Sequence, residues 1–147
     1  MKVTIDTIPG STQTEVVIRC GQIDDTVMRM LAYLRTFDQK LLGIWQEQTF
    51  LLDPQDIYYC ESVDKRTFLY GENTVYQTPL RLYELEQRLC GGTFFRASKS
   101  TLVNLAKVRA FSTHARYGGK IAIALESGER LFVSRLYVPQ LKAKLAQ

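Results

Sequence analysis

The sequence predicts a mainly β fold with a minor α part. From residue 41 onward, short runs rich in Val, Ile, Leu, Phe and Tyr alternate with turn residues, which is the pattern of antiparallel strands. Only one stretch of that region, Leu80–Leu89, carries an unambiguous helical period. The first 40 residues read differently, as strand, strand and helix. The chain therefore divides into an N-terminal β-β-α extension at residues 1–40 and a β domain at residues 41–147 around a twisted antiparallel core.

In the extension, Val3–Ile8 and Glu15–Cys20 flank a Pro9-Gly10-Ser11 turn. Val16, Ile18 and Cys20 alternate onto one face, and the pair is expected as a hairpin. Val27, Met28, Met30, Leu31, Leu34 and Phe37 recur with helical spacing behind Asp24-Asp25, either of which fits the N-cap. An Asp pair near the start of a chain also occurs in phosphorylation receivers. That reading is rejected, because some hundred residues of alternating strand and helix are needed and only about 40 precede the β pattern.

Leu41–Trp45 and Thr49–Leu52 are expected as strands around a Gln46-Glu47-Gln48 turn. Asp53-Pro54-Gln55-Asp56 is a turn signal, with Pro at the second position. Strands follow at Ile57–Ser62, Thr67–Tyr70 and Thr74–Gln77, broken by the polar corner Asp64-Lys65-Arg66 and by Gly71-Glu72-Asn73. Pro79 opens the Leu80–Leu89 helix, whose Leu82, Leu85 and Leu89 share a face, and Gly91-Gly92 ends it. Phe94–Ala97, Val108–Ser112, Lys120–Leu125 and Arg130–Val133 are further strands, and Tyr137–Leu145 reads as a helix. Ser98–Leu105 is ambiguous and could hold one helical turn capped by Ser98 or Ser100.

Composition narrows the function. The 147 residues carry 46% hydrophobic and 23% charged side chains, enough apolar material for a core. No apolar run is long enough to span a membrane and the N-terminus lacks a secretion signal, so a reducing cytoplasmic setting is expected. Cys20, Cys60 and Cys90 are widely spaced, form no C-x-x-C pair, and read as small buried hydrophobes. His114 is the single histidine, so a multi-His metal site is excluded. No nucleophile, base or phosphate-loop pattern is present, and neither an enzyme nor a cofactor is expected.

The net charge of +4 hides a gradient. Residues 1–40 balance at zero, residues 41–93 carry −4, and residues 94–147 carry +8. A basic third of this kind points to a polyanion. Arg96, Lys99, Lys107, Arg109, Arg116, Lys120, Arg130 and Arg135 are interleaved with Ser98, Ser100, Asn104, Thr113 and Ser134. Cations neutralise phosphates, and short polar side chains fix register on a duplex or read base edges. Phe94, Phe95, Phe111, Tyr117, Phe132 and Tyr137 lie among them. Exposed rings would favour single strands or RNA, but alternation assigns most of them to the core.

These segments resemble the LytTR DNA-binding domains. The resemblance rests on Phe94-Phe95-Arg96-Ala97-Ser98-Lys99-Ser100-Thr101-Leu102-Val103-Asn104-Leu105, and on Asp56–Ser62 with the corner after it. The helix beginning Leu80-Arg81-Leu82 and the closing Ser127-Gly128-Glu129, Val133-Ser134-Arg135 and Tyr137 complete the ordered set from about residue 42. The resemblance implies elongated antiparallel sheets with one small helix, and loops that enter successive major grooves of double-stranded DNA, commonly at imperfect direct repeats. Base-reading positions then fall at Lys65-Arg66-Thr67, at Ser98-Lys99 and at Arg135. Ser100 and Asn104 match signature positions, which serve either the DNA or the architecture of the loop, and Arg96 and Arg116 add cations. Ser98 stands where many members have His, which implies an altered target. No receiver domain is expected. Residues 1–40 resemble the extension of short stand-alone bacterial regulators, and their zero net charge and apolar helix face suit a dimerisation or sensing unit. The resemblance also implies a homodimer at least on DNA, and a small membrane-protein partner. The competing reading of the residues is a protein-interaction or ligand-sensing module.

Overall fold

The computed structural model describes residues 1–89 and 92–146, with side-chain environments for all of these but residues 35–38. Helix α1 (Asp25–Asp38) precedes a run of strands: β1 (Leu41–Trp45), β2 (Gln48–Leu52), β3 (Tyr59–Val63), β4 (Arg66–Tyr70) and β5 (Val75–Thr78). Helix α2 (Leu82–Leu89) leads to β6 (Phe94–Ser98), β7 (Thr101–Asn104), β8 (Val108–Thr113), β9 (Ile121–Leu125), β10 (Arg130–Val133) and helix α3 (Val138–Leu145). The strands form a seven-stranded sheet ordered β2-β1-β5-β4-β3-β7-β6 and a three-stranded sheet ordered β10-β9-β8. Every pairing is antiparallel, in keeping with a mainly β fold carrying a few short helices.

Register divides the apolar side chains into two cores, because residues two apart share a face. Tyr59 pairs with Val103, and Val103 with Phe95, so these three face one side. They meet Ile121, Ile123, Leu125 and Val133 of the small sheet and Leu141 of α3. Cys60, Leu69 and Leu102 face the other side, where Leu82, Leu85 and Leu89 of α2 cover them. Each fully buried Leu contributes roughly 1.5–3 kcal/mol of apolar transfer.

The caps follow the polar sequence. Asp24 Oδ1 accepts from Val27 N at 3.0 Å, so Asp24 rather than Asp25 caps α1. Arg81 O accepts the first helical bond of α2, and Glu84 Oε1 reaches back to Arg81 N at 3.1 Å. That half capping box starts α2 two residues later than Pro79 alone suggests. Gly92 N closes on Leu89 O at 3.2 Å, while Gly91 and Cys90 lie outside the described residues.

Three expectations are corrected. The hairpin at residues 3–20 does not form: residues 1–24 contain no strand, although Ser11 N bonds Ile8 O in the expected turn. Val3, Ile5 and Val16 are 78%, 88% and 60% exposed, and an isolated two-stranded hairpin without a covering layer is marginal. Cys20 shares that segment and is exposed, while Cys60 is buried as expected. The Ser98–Leu105 stretch is a tight turn, strand β7 and the start of a 3₁₀ turn, with no helical turn at Ser98 or Ser100.

Candidate nucleic-acid interface

The β3–β4 corner is a two-residue turn. Val63 pairs with Arg66, and Asp64 and Lys65 take left-handed φ values of 51° and 65°. Left-handed turns of this class match the twist of the flanking strands, at a cost of about 1–2 kcal/mol for each residue bearing a Cβ. The corner projects Lys65 and Arg66 into solvent.

The β6–β7 corner is held from within. Ser98 Oγ accepts from Ser100 N at 3.2 Å. The Arg96 guanidinium donates through Nε to Ser98 O at 2.7 Å and through Nη2 to Lys99 O at 2.5 Å. Its Nη1 meets Glu86 Oε1 of α2 at 3.3 Å. One side chain thus gathers the corner's carbonyls and leaves the exposed Lys99 at its tip.

Two backbone bonds bring separate corners to one end of the molecule. Ser62 N donates to Ser100 O at 2.8 Å, which sets the β3–β4 and β6–β7 corners side by side. Ser134 N donates to Ala97 O at 2.9 Å, which sets the Ser134-Arg135 junction against the same strand. Arg135 then opens a 3₁₀ turn, Arg135–Tyr137, that runs into α3.

The β8–β9 connection reaches the same place, since Val133 and Thr113 both pair with Ile121. His114 Nδ1 accepts from Arg116 N at 3.1 Å and caps a 3₁₀ turn over Ala115–Tyr117. Gly118 and Gly119 follow with φ of 62° and 88°. Arg116 lies 5.4 Å from the Tyr117 ring centroid, and Tyr117 packs edge-on against Phe132. The hydrogen bond with Arg116 lowers the Tyr117 phenol pKa below its ordinary value.

Of the site residues expected from sequence, Lys65, Arg66, Ser98, Lys99, Ser100, Arg116 and Arg135 lie on these four segments. Three others make internal contacts. Asn104 is fully buried: its Nδ2 donates to Ile57 O at 2.9 Å, and its Oδ1 accepts from Thr93 Oγ1 at 2.6 Å and Ala106 N at 3.0 Å. Thr67 is buried between strands. Arg96 directs three of its donors inward, two to the corner it supports and one to Glu86 of α2.

The aromatic expectation holds only in part. Phe94 and Phe95 are buried, Tyr117 and Tyr137 half-buried, and Phe111 and Phe132 are 39% and 44% exposed. Sequence reasoning also missed Gly119, whose backbone underlies the Arg135 stem. The Gly118-Gly119 tandem beside a lone Arg was its visible trace.

A family model, the LytTr DNA-binding domain, matches residues 47–146. The chain belongs to the LytTR family. LytTR domains are DNA-binding modules of transcription regulation and not catalysts. The LytTR fold is seen directly in the solved LytTr DNA-binding domain of a Bacillus cereus protein. It superposes with a TM-score of 0.68 at 21% identity, over 75% of this chain and 99% of that one. The sensory transduction protein LytT of Enterococcus faecalis is 25% identical over 100 residues, which are 68% of this chain and 40% of LytT. An HTH-type transcriptional regulator of Staphylococcus aureus is 24% identical over 99% of both chains. In this LytTR chain strands separate the described helices, so a helix-turn-helix is absent among the described residues. Among those residues no helix is long and apolar enough to cross a membrane, and no acidic, His or Cys group could hold a metal.

Proposed function

We propose that this LytTR chain recognises double-stranded DNA by inserting its corners, rather than a helix, into the major groove, and regulates transcription in the bacterial cytoplasm. One observation carries the reading: four cation-bearing segments from distant parts of the chain converge at one end of the paired sheets. Lys65 and Arg66 project from one corner, Lys99 from the next, and Arg116 and Arg135 from the other two. A convex set of short turns fits a groove about 12 Å wide as a helix would. Arg135 is the base reader in this arrangement, since Arg pairs bidentately with guanine, and Lys99 and Arg116 hold phosphates. Imperfect direct repeats are the expected target, with two copies bound together. Residues 1–24, which expose Val3, Ile5, Ile8 and Val17, are the surface for a second copy or for a membrane-protein partner.

Mobility-shift titration against genomic fragments at two salt concentrations tests the reading. Sequence-selective duplex binding that weakens as salt rises is the expected result. Equal affinity for every sequence, or none at low salt, overturns it. Arg135→Ala should lose roughly 1–3 kcal/mol on the target and little on random duplex.

The exposed Phe111 and Phe132 favour a second reading, base stacking on unpaired strands. Competition between duplex and single-stranded DNA separates the two.

A further inference from the structure

Between the β8–β9 connection and α3 lies a cavity of about 460 Å³ that opens widely to solvent. Thr113, His114, Lys120 and Lys142 supply its polar lining, and Gly119, Ile121 and Val138 form walls. The lining holds two ammonium groups and no carboxylate. Among the described residues neither lysine has an ion-pair partner. The basic third has just two acids, Glu126 and Glu129, and both follow the Leu125 end of β9. The cavity adjoins the Ile121 end, roughly 13 Å away along the strand and beyond the physiological screening length of about 8 Å. Glu129 is moreover engaged by the Tyr59 hydroxyl at 2.7 Å. The cavity lining itself therefore carries positive charge with no carboxylate in it.

The hydrogen-bonding groups suit a tetrahedral oxyanion. His114 Nδ1 is occupied as the acceptor for Arg116 N, so the proton of the neutral ring sits on Nε2, which makes the imidazole a donor there. Thr113 adds a hydroxyl and the two lysines add ammonium donors. We propose that this cavity is a phosphate-binding site that seats a backbone phosphate of bound DNA beside the groove read by Arg135. The source of the phosphate rests on the DNA reading above, whereas the phosphate chemistry rests on the cavity alone. Gly119 lines the cavity and also underlies the Arg135 stem. A phosphate held there fixes the register of the arginine that shares that glycine.

The test uses the full chain with Lys120→Ala/Lys142→Ala. Both lysines are exposed, and an unchanged thermal midpoint confirms the fold. An Arg81→Ala/Arg88→Ala variant matches the charge change on exposed positions at α2, outside the cavity and the four segments. Loss of the cavity lysines should weaken target and random duplex by the same factor, about tenfold. It should also flatten the dependence of log K on log salt by about one unit, while the control leaves that slope intact. An unchanged slope with wild-type affinity overturns the proposal and leaves the DNA reading standing.

A second arm asks for phosphate without DNA. His114 is the single histidine, so its ring gives one assignable NMR signal. Inorganic pyrophosphate should shift that signal in the wild type and not in the double-lysine variant. If the shift occurs but no duplex binds, the phosphate site stands, its source is a small phosphorylated ligand, and the DNA reading falls. If neither the shift nor the slope change occurs, the site is refuted.

Discussion

The stem of Arg135 lies directly on the backbone of Gly119: a Cβ at residue 119 would stand 2.9 Å from Arg135 Cδ and 3.1 Å from its Cγ. The contact joins two loops that are adjacent only in space. It also explains why residue 119 has no side chain, quite apart from its φ of 88°. Gly119→Ala should therefore act on recognition more than on stability. The left-handed φ costs on the order of 1 kcal/mol with a Cβ present, and the arginine must move off its seat. Target affinity should fall about as far as in Arg135→Ala, with random-duplex affinity kept. Combining the two substitutions should cost little more than either alone, because both remove the same positioned guanidinium. Additive losses in a double-mutant cycle would break the proposed coupling.

Arg96 should behave as a support rather than a contact. Its guanidinium gathers Ser98 O, Lys99 O and the Glu86 carboxylate, committing three of its five N–H donors to internal partners. Arg96→Ala removes the brace of the β6–β7 corner and strands two carbonyls that water can reach. A stability loss of about 1–2 kcal/mol is expected in urea unfolding. DNA affinity should fall through disorder of the corner, with a salt dependence unchanged from wild type. A salt slope reduced by a full unit would instead mark Arg96 as a phosphate contact.

How much of this was legible in the sequence depends on the faces of each strand. Where one face of a strand is wet, alternation shows, as in Arg66–Tyr70, whose Thr67 and Leu69 are buried between less buried neighbours. Strand β7 defeated that logic. Leu102 joins the core under α2 and Val103 the core under the small sheet, so both faces are dry and the period vanishes. The N-terminal segment failed the opposite way: Val16 and Ile18 alternate correctly, yet Val16 is exposed and Ile18 only half-buried. At the interface, the cations were visible by composition. What sequence could not reveal was adjacency, since the Ser62–Ser100 and Ser134–Ala97 bonds span long stretches of chain. Asn104 and Ser98 look alike as short polar residues in one motif, and only burial separates the architectural one from the exposed corner.

Asn104 carries the prediction that follows from that separation. Its amide bridges Ile57 O, Thr93 Oγ1 and Ala106 N, tying three segments that meet at the end of β7. Asn104→Ala leaves the buried Ile57 carbonyl unpaired, where an orphaned group costs about 1–3 kcal/mol, and releases the Ala106 amide to solvent. The midpoint of thermal unfolding should drop by several degrees or more. At a temperature where the variant is still folded, its preference between target and random duplex should match the wild type. A lost preference with unchanged stability would instead make Asn104 a direct DNA contact.

High pH should unfold this protein through three groups on the large sheet. Burial, the charged hydrogen bond to Glu129 and nearby charges raise the Tyr59 phenol far above its ordinary value of 10.0. Its ring stacks on Tyr70 at 4.1 Å, and burial with the charges of Glu61 and Glu129 raises that phenol too. Burial pushes the Cys60 thiol up from an ordinary 9.0. In each case the unfolded chain releases a proton that the folded chain retains. The stabilisation is therefore complete below about pH 9 and is lost progressively as pH rises above it, by up to about 1.4 kcal/mol per pH unit for the fully buried Cys60 thiol and by less for the two phenols. Tyr59→Phe separates the contributions. At pH 7 it deletes a 2.7 Å bond between the two sheets and should cost about 1–2 kcal/mol. Above pH 10 it should decline less steeply than the wild type, so the two stability curves converge. Urea midpoints measured from pH 7 to about pH 11 provide the check, and parallel curves would show that Tyr59 ionises as freely in the folded chain as in the unfolded one.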